Sequence, residues 1–241
     1  MTNSVPWPTQ RMIRGSMDFS AIVDIDGVHN PKTGGFHVVD DAVNADHRSI
    51  FVRDGTYPFA HISKSNVYVQ GESMGHTVFD GEDIDHAIHV TGARVHLCNL
   101  MVKTTAGGGT GYDGIYANGG SFSVYERILC TSSDNVGINV VAGSDFDHII
   151  NSQIYSSIDS YKILIAASYV KVEGCYIANA GLYGIEVTGT NARITNNAFN
   201  ANTTYAIRLN TNGDNAIVGH NRFISTTLTN SSGTGTVADN E

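Results

Sequence analysis

The feature that most constrains the fold is a pair of apolar strands that recurs between His86 and Phe223. In six repeats an isoleucine holds the same place: Ile88, Ile115, Ile138, Ile163, Ile185 and Ile207. A second apolar column follows the first: Leu100, Ile128, Ile154, Ile177, Phe199 and Phe223. Successive members of the first column are 27, 23, 25, 22 and 22 residues apart. Two apolar columns with one shared period indicate a solenoid made of stacked coils.

The spacing inside each repeat indicates strands. Two residues after each isoleucine stands another apolar residue: Val90, Ala117, Val140, Ile165, Val187 and Leu209. Apolar residues at i and i+2 follow strand alternation, and no repeat holds an apolar stripe long enough for a helix. The sequence therefore predicts an all-β, single-stranded parallel β-helix, whose coils pair their backbones with the coils above and below.

Equivalent positions of successive coils should stack like residues. Tyr161, Tyr183 and Tyr205 each precede a column isoleucine by two residues, which predicts an aromatic ladder. Asn197 and Asn221 occupy one turn position and predict an amide ladder. The turns of the repeat by themselves explain the high Gly and Asn content.

Composition limits the classes of partner. The 241 residues are 41% hydrophobic and contain no apolar run near the roughly 18 residues of a membrane span, so no membrane partner is expected. No cofactor is expected either. The net charge of −9 argues against nucleic acid as the main partner. Cys98, Cys130 and Cys175 lie in or beside strands without metal-like spacing, which favours buried core thiols over a disulfide or a metal site.

Residues 1–20 do not fit the repeat and form a predicted N-terminal arm. The arm is too short for its own core, and it carries two arginines and a tryptophan between two prolines. Two interpretations stay open: the arm folds back over the open end of the solenoid, or it docks into another chain. The candidate partner-binding residues are Trp7, Arg11, Met12, Ile13 and Arg14.

The β-helix domain is predicted to span residues 21–228, followed by a C-terminal tail at 229–241. Ile22, Val23 and Ile25 suggest a first strand, and the apolar face at about 37–45 predicts a short helix that caps the solenoid. A cap is needed because the end of a solenoid exposes core side chains and unpaired strand edges.

The helix, the following "IFVRDGTYPF" and then "NVYVQGE" resemble the N-terminal cap and first coils of the pectin lyase-like right-handed parallel β-helix superfamily. The resemblance covers roughly residues 21 to 228 and implies a right-handed coil. It is nearly silent on function, because the superfamily includes polysaccharide lyases, hydrolases, epimerases, adhesins and phage spike or capsid-associated proteins.

The residues directly after the column isoleucines should face solvent. His89, Tyr116 and Asn139 follow one another in this row, and adjacent coils are only about 4.8 Å apart. Tyr or His could remove the proton next to a uronate carboxylate, and Asn could help neutralise that carboxylate. The alternative is that such residues meet by chance on the surface of any β-helix, which the 10 His and 11 Tyr make unremarkable.

An acidic stretch is a second, weaker candidate site. Asp80, Asp83 and Asp85 could bind Ca²⁺ through hard oxygen ligands. The stretch lacks the ligand spacing of a known calcium loop, so a solvated turn is the competing interpretation.

The closely wound coils leave little wall for a substrate groove. They favour a bacteriophage virion structural protein: a trimeric capsid decoration (cement) or short spike protein, attached to a capsid or tail protein of the same virion through its arm. The alternative is a polysaccharide-active enzyme (uronate lyase, epimerase or glycoside hydrolase), secreted or at the cell surface. A surface polysaccharide is then the partner.

Overall fold

The computed structural model describes residues 19–24, 35–36, 38–82, 84–104, 111–133, 135–155, 161–202, 204–224, 229–231 and 235–238. Within these residues the chain winds into a right-handed parallel β-solenoid with one short helix, so the predicted fold class is confirmed. Between residues 49 and 231 each coil passes through three ladders of strands in the order A, B, C. All strand pairs are parallel, which a solenoid requires because each coil repeats the direction of the last.

Ladder A consists of β1 (Ala21–Val23), β3 (Ser49–Val52), β6 (Tyr68–Gly71), the first half of β9 (His96–Lys103), the first half of β11 (Val124–Ser132), β13 (His148–Ile150), β16 (Lys171–Glu173), β19 (Arg193–Thr195), β22 (Ile217–Gly219) and β25 (Thr236–Ala238), with β2 (Gly35–Phe36) beside β1. Ladder B consists of β4 (Gly55–Tyr57), β7 (Thr77–Asp80), the second halves of β9 and β11, β14 (Gln153–Ile154), β17 (Tyr176–Ala178), β20 (Ala198–Asn200) and β23 (Arg222–Ile224). Ladder C consists of β5 (Ala60–Ile62), β8 (Ile88–Val90), β10 (Ile115–Ala117), β12 (Ile138–Val140), β15 (Ile163–Ile165), β18 (Tyr183–Val187), β21 (Tyr205–Leu209) and β24 (Thr229–Ser231).

The first isoleucine column is the inner face of ladder C. Its six members are register partners from strand to strand, and each is at most 1% exposed. The apolar residues two places later are buried with them. This confirms the predicted column and the strand alternation that it rests on.

The prediction of the second apolar column is wrong between two of its coils. Leu100 pairs with Ile128 as expected, but Ile154 pairs with Cys130, two residues further along β11. From Ile154 onward the column is continuous through Ile177. A shift of two residues keeps the same face inward, so the apolar pattern alone could not reveal it.

The bend between ladders A and B explains that shift. From β9 onward each passage turns at a residue with left-handed backbone: Asn99, Arg127, Asn151, Gly174, Asn196 and His220. The next residue is apolar in the first two of these six passages and small or polar in the other four: Ser152, Cys175, Asn197 and Asn221. The Ser152 hydroxyl accepts a hydrogen bond from the Ile128 backbone N–H at 3.1 Å, so polar bonding replaces apolar contact inside the bend.

Both side-chain ladders are confirmed. Asn197 Nδ2 donates to Asn221 Oδ1 at 3.1 Å, and Asn221 Nδ2 donates to the Ile194 carbonyl at 2.9 Å. The rings of Tyr161 and Tyr183 stack at 5.6 Å between centroids, and those of Tyr183 and Tyr205 at 6.1 Å. Identical side chains one coil apart therefore stack or form a hydrogen bond with each other, as the repeat period predicts.

The N-terminal cap forms as predicted. Helix α1 (Val39–Asn44) buries Val39, Ala42 and Val43, and the Asp40 carboxylate accepts the His61 backbone N–H at 2.7 Å. The Phe19 ring lies 5.2 Å from the Phe51 ring, so the last residues of the arm contact the solenoid. The rest of the arm, 1–18 with its five candidate partner-binding residues, lies outside the described residues.

The ladders continue beyond residue 228, where the sequence analysis places the start of the tail. Strand β24 pairs with β21, and β25 pairs with β22. No helix in the described part of the chain is long and apolar enough to span a membrane.

The three cysteines are free and buried. Cys130 and Cys175 belong to the apolar core, as expected. Cys98 does not: it neighbours the core residue Leu97 on β9 and therefore points to the outer side of ladder A. Strand alternation thus separates Cys98 from the other two thiols.

Candidate functional site on ladder C

The outer face of ladder C carries a row of side chains in register. His61, His89, Tyr116 and Asn139 are consecutive partners on β5, β8, β10 and β12. The structure therefore brings together the three residues that the sequence singled out, and it adds His61 one coil before them. Their catalytic role stays a prediction, since register alone assigns no chemistry.

Aromatic rings converge on this row. The rings of His61 and His89 stack at 4.7 Å between centroids and 14° between planes. His86, from the turn before β8, stacks on Tyr116 at 4.3 Å and 12°, and His89 lies 5.2 Å from Tyr116. We call His61, His86, His89 and Tyr116 the ring cluster. It spans three adjacent coils, so it is wide enough to contact several groups of one extended ligand.

A buried carboxyl group lies behind the ring cluster. Asp113 is 1% exposed, and its Oδ1 accepts hydrogen bonds from Asn135 Nδ2 and the Val136 backbone N–H, both at 3.0 Å. Its Oδ2 accepts from Asn139 Nδ2 at 2.9 Å. Burial raises the pKa of Asp113 to about 6, against the lowering effect of these hydrogen bonds. Asp113 is therefore enclosed by protein and holds the side chains of Asn135 and Asn139 in place.

This arrangement changes the role expected for Asn139. The sequence suggested that Asn139 could neutralise a substrate carboxylate, but its amide nitrogen is directed at Asp113 instead. The backbone N–H of Asp113 in turn donates to His86 Nδ1 at 2.9 Å. A neutral His86 therefore carries its proton on Nε2, which leaves Nε2–H as its donor.

The two histidines of the ring cluster nearest Tyr116 favour the uncharged form. Burial lowers the pKa of His86, and burial together with the charge of neighbouring His61 lowers the pKa of His89. The carboxylate of Asp85 opposes both shifts. Neutral imidazole can accept a proton near pH 7, so His89 has the protonation state of a general base.

A second polar group on the same face is satisfied internally. Glu186 is 4% exposed and accepts from Arg208 at 3.2 Å and from Asn210 at 3.3 Å. Arg208 also donates to the Tyr183 hydroxyl at 3.1 Å. Leu164 separates this group from the ring cluster. The charged side chains in this half of the face therefore bond to each other and to neighbouring polar groups of the protein.

Two of the three candidate calcium ligands, Asp80 and Asp85, lie among the described residues. Asp80 forms an ion pair with Lys103 at 2.9 Å and accepts the Glu82 backbone N–H. Asp85 accepts the backbone N–H of His86 at 2.7 Å. Asp83 lies outside the described residues. The two described carboxylates have different partners, and a calcium site here stays an untested prediction.

An exposed aromatic stripe, which the sequence analysis missed, runs along the turns from ladder C to ladder A. Phe122, Phe146 and Tyr169 stack at 4.9 and 4.8 Å with planes within 3° of parallel. They are 55%, 47% and 52% exposed. All three have left-handed backbone, with φ of 64°, 64° and 61°. Bulky residues rarely adopt this conformation, and such strain often marks functional positions.

Comparison with known proteins agrees with this fold. A family model described as "Right handed beta helix region" matches residues 50–223. A carrot pectin methylesterase superposes with a TM-score of 0.63 at 14% identity, covering 92% of this chain and 85% of that chain. A pectate lyase gives 0.64 at 15% identity, covering 94% and 81%. The pectin methylesterase from Aspergillus niger gives 0.57 at 15%, covering 94% and 90%.

These structural neighbours are polysaccharide-active enzymes, but identities this low show a shared fold alone. No curated protein matches the sequence significantly.

Proposed function

This chain belongs to the right-handed β-helix family, and on that premise we propose that it acts on a polysaccharide through the ring cluster of ladder C. The observation that carries the proposal is the ring cluster itself: three histidines and a tyrosine in contact on the outside of adjacent coils, backed by the buried Asp113. The named activities of the structural neighbours, pectin methylesterase and pectate lyase, support this substrate class.

The shape of the face suits an extended polymer. Successive coils repeat every ~4.8 Å along the axis, so a chain lying on ladder C meets one outer side chain per coil. The exposed aromatic stripe at Phe122, Phe146 and Tyr169 runs beside three of these coils. The exposed side of this stack offers carbon-rich surface beside the row, which a bound sugar chain can contact.

The chemistry that fits best is β-elimination on a uronate chain. His89, neutral because of its surroundings, takes the proton from the carbon next to the carboxylate. The electron pair of that C–H bond forms the new double bond, and the bond to the glycosidic oxygen breaks. The Tyr116 hydroxyl gives its proton to the leaving oxygen. His86, oriented by the Asp113 backbone N–H, donates Nε2–H to a substrate oxygen.

The test is turnover on a panel of alginate, pectate and related polymers, measured as ultraviolet absorbance of the new double bond. We expect activity in the parent protein and a loss of about 10²–10⁴-fold in Tyr116→Phe, which removes the acid but keeps the ring. Tyr205→Phe is the matched control, since Tyr205 belongs to the ladder on the same face away from the ring cluster. An inactive parent protein on every polymer, or equal losses in both variants, would count against the proposal.

A second candidate function is the bacteriophage virion role, as a trimeric capsid decoration or short spike protein located in the virion. The supporting observation is the close winding of the C-terminal coils: between Ile163 and Ile207 the strands of ladder C recur every 22 residues, with short turns on either side. A stiff rod of this kind can serve as a structural element by itself. Its partner would be a capsid or tail protein, held by residues 1–20.

Removal of residues 1–18 separates the two interpretations of the arm. If the arm is an attachment device, the truncated protein should keep its β-type circular dichroism and melting temperature but lose binding to its assembly in co-sedimentation. Trp7→Ala alone should weaken that binding by about 2 kcal/mol if Trp7 is a buried anchor. An arm that caps its own solenoid predicts the opposite, a melting temperature several degrees lower, and normal binding by such a truncated protein would refute attachment.

A further inference from the structure

Three side chains with metal-binding atoms converge on the outer side of ladder A, away from the ring cluster. His96 and Cys98 are two residues apart on β9, so they point to the same side. Glu126 on β11 is the register partner of Cys98. The nitrogen, sulfur and oxygen atoms of the three side chains all lie within 4.8 Å of one another. Two neighbouring coils thus place three different donors around one point.

This trio differs from an ordinary surface cluster in its burial. Cys98 is 0% and His96 is 4% exposed, although both lie on the outer side of the strand. The Tyr68 ring packs against His96 edge to face, with centroids 5.1 Å apart. His96 Nε2 lies 3.1 Å from a carboxylate oxygen of Glu126, whose side chain is 31% exposed. The donors are therefore held in place by packing, with Glu126 on the side that reaches solvent.

We propose that His96, Cys98 and Glu126 form a Zn²⁺ site. Imidazole, thiolate and carboxylate are the three side-chain ligands that Zn²⁺ takes in proteins, with bonds of about 2.0–2.3 Å. Ligand atoms around a tetrahedral ion with such bonds stand roughly 3.3–3.8 Å apart, so the observed separations need only small side-chain movements. Binding releases the Cys98 thiol proton to solvent. Three protein ligands leave the fourth position to water, which is the arrangement of a zinc ion open to a further ligand.

Arg127 lies beside Cys98 and allows a further test of the proposed Zn²⁺ site. Its guanidinium donates a hydrogen bond to Cys98 Sγ at 3.3 Å and so occupies the space beside the thiol with a positive charge. A cation at this place competes with a metal ion. Arg127 lies at an exposed position, where its long side chain can turn away into solvent. Arg127→Gln should therefore tighten metal binding, which a purely structural role of the trio would not predict.

The experiment uses the full chain, stripped with a chelator and titrated with Co²⁺ as the probe. We expect one Co²⁺ per chain, a thiolate-to-cobalt charge-transfer band in the near ultraviolet, and loss of the band when Zn²⁺ displaces Co²⁺. Cys98→Ser should abolish the band, whereas Cys175→Ser, which changes a buried core thiol in another coil, should keep it. Glu126→Gln should weaken Co²⁺ binding at least about tenfold, and Arg127→Gln should strengthen it.

The proposed Zn²⁺ site can still be tested if Cys98→Ser does not fold. Glu126→Gln alters a partly exposed side chain and preserves its size, so this variant reports on the site independently. A parent protein that shows no thiolate band with Co²⁺ would overturn the proposal. So would a Glu126→Gln protein with the parent affinity, because the metal would then lie elsewhere.

Discussion

Replacing Ile163 by alanine is expected to lower the free energy of unfolding by about 2–5 kcal/mol. Ile163 is fully buried on β15 and lies between its register partners Ile138 and Ile185. The two neighbours are held by backbone ladders above and below, so they cannot collapse into the space that the side chain leaves. The cost therefore includes the cavity as well as the lost burial. Urea denaturation followed by circular dichroism measures it.

Leu164→Ala is the matched control for this prediction. Leu164 neighbours Ile163 on the same strand but faces outward and is half-buried. Its truncation should cost clearly less, since solvent can fill the space. Equal losses in the two variants would mean that the inner and outer faces of ladder C are not distinguished as described.

Asp147→Asn is expected to stabilise the protein at alkaline pH and to flatten its pH dependence. Asp147 is 0% exposed, accepts the Ser123 backbone N–H at 2.8 Å and the Tyr125 hydroxyl at 3.1 Å, and burial raises its pKa to about 8. Asparagine can keep both contacts, because its oxygen accepts the N–H and its nitrogen donates to the phenol oxygen. The variant loses only the carboxyl group that resists ionisation.

The sign of the effect follows from proton binding. The unfolded chain loses the Asp147 proton near pH 3.9, whereas the folded protein keeps it up to about pH 8. Between these values the folded state binds more protons, so its stability falls by up to about 1.4 kcal/mol per pH unit. Below that window the group has no effect, and above it the loss is complete.

Asp113, with a pKa raised to about 6, contributes in the same direction only in the lower part of this window. His86, His89 and His148, whose pKa values are lowered by burial, contribute in the opposite direction near their unfolded pKa of about 6.5. The difference in slope between the parent protein and Asp147→Asn therefore reports on Asp147. In urea unfolding at several pH values, stability should fall more steeply with pH in the parent protein and in Asp41→Asn, which changes an exposed helix residue, than in Asp147→Asn. A parent protein with the same pH dependence as Asp147→Asn between pH 6 and 8 would show that the pKa of Asp147 is not raised in the fold.

Part of the candidate site was visible in the repeat alignment. The row that includes His89 and Tyr116 follows from strand alternation, because residues beside a buried isoleucine face outward. His86 and Asp113 stand two residues before Ile88 and Ile115, in the column that becomes the tyrosine ladder further on. A histidine and an aspartate at positions that hold tyrosine in later coils could have marked these two residues as site candidates. That Asp113 is buried and holds Asn139 could not be predicted, since the direction of a turn side chain depends on the coil stacked next to it.

The sequence by itself determined the parallel β-helix, its cap, its inner isoleucine column and its aromatic and amide ladders. Each of these is a one-dimensional property, because a solenoid repeats its contacts at a nearly constant distance along the chain. Tertiary structure alone decided the two-residue register step after β11, the enclosure of Asp113, and the meeting of His96, Cys98 and Glu126. Those features depend on how two neighbouring coils of unequal length align, and alternation is unchanged by a shift of two residues.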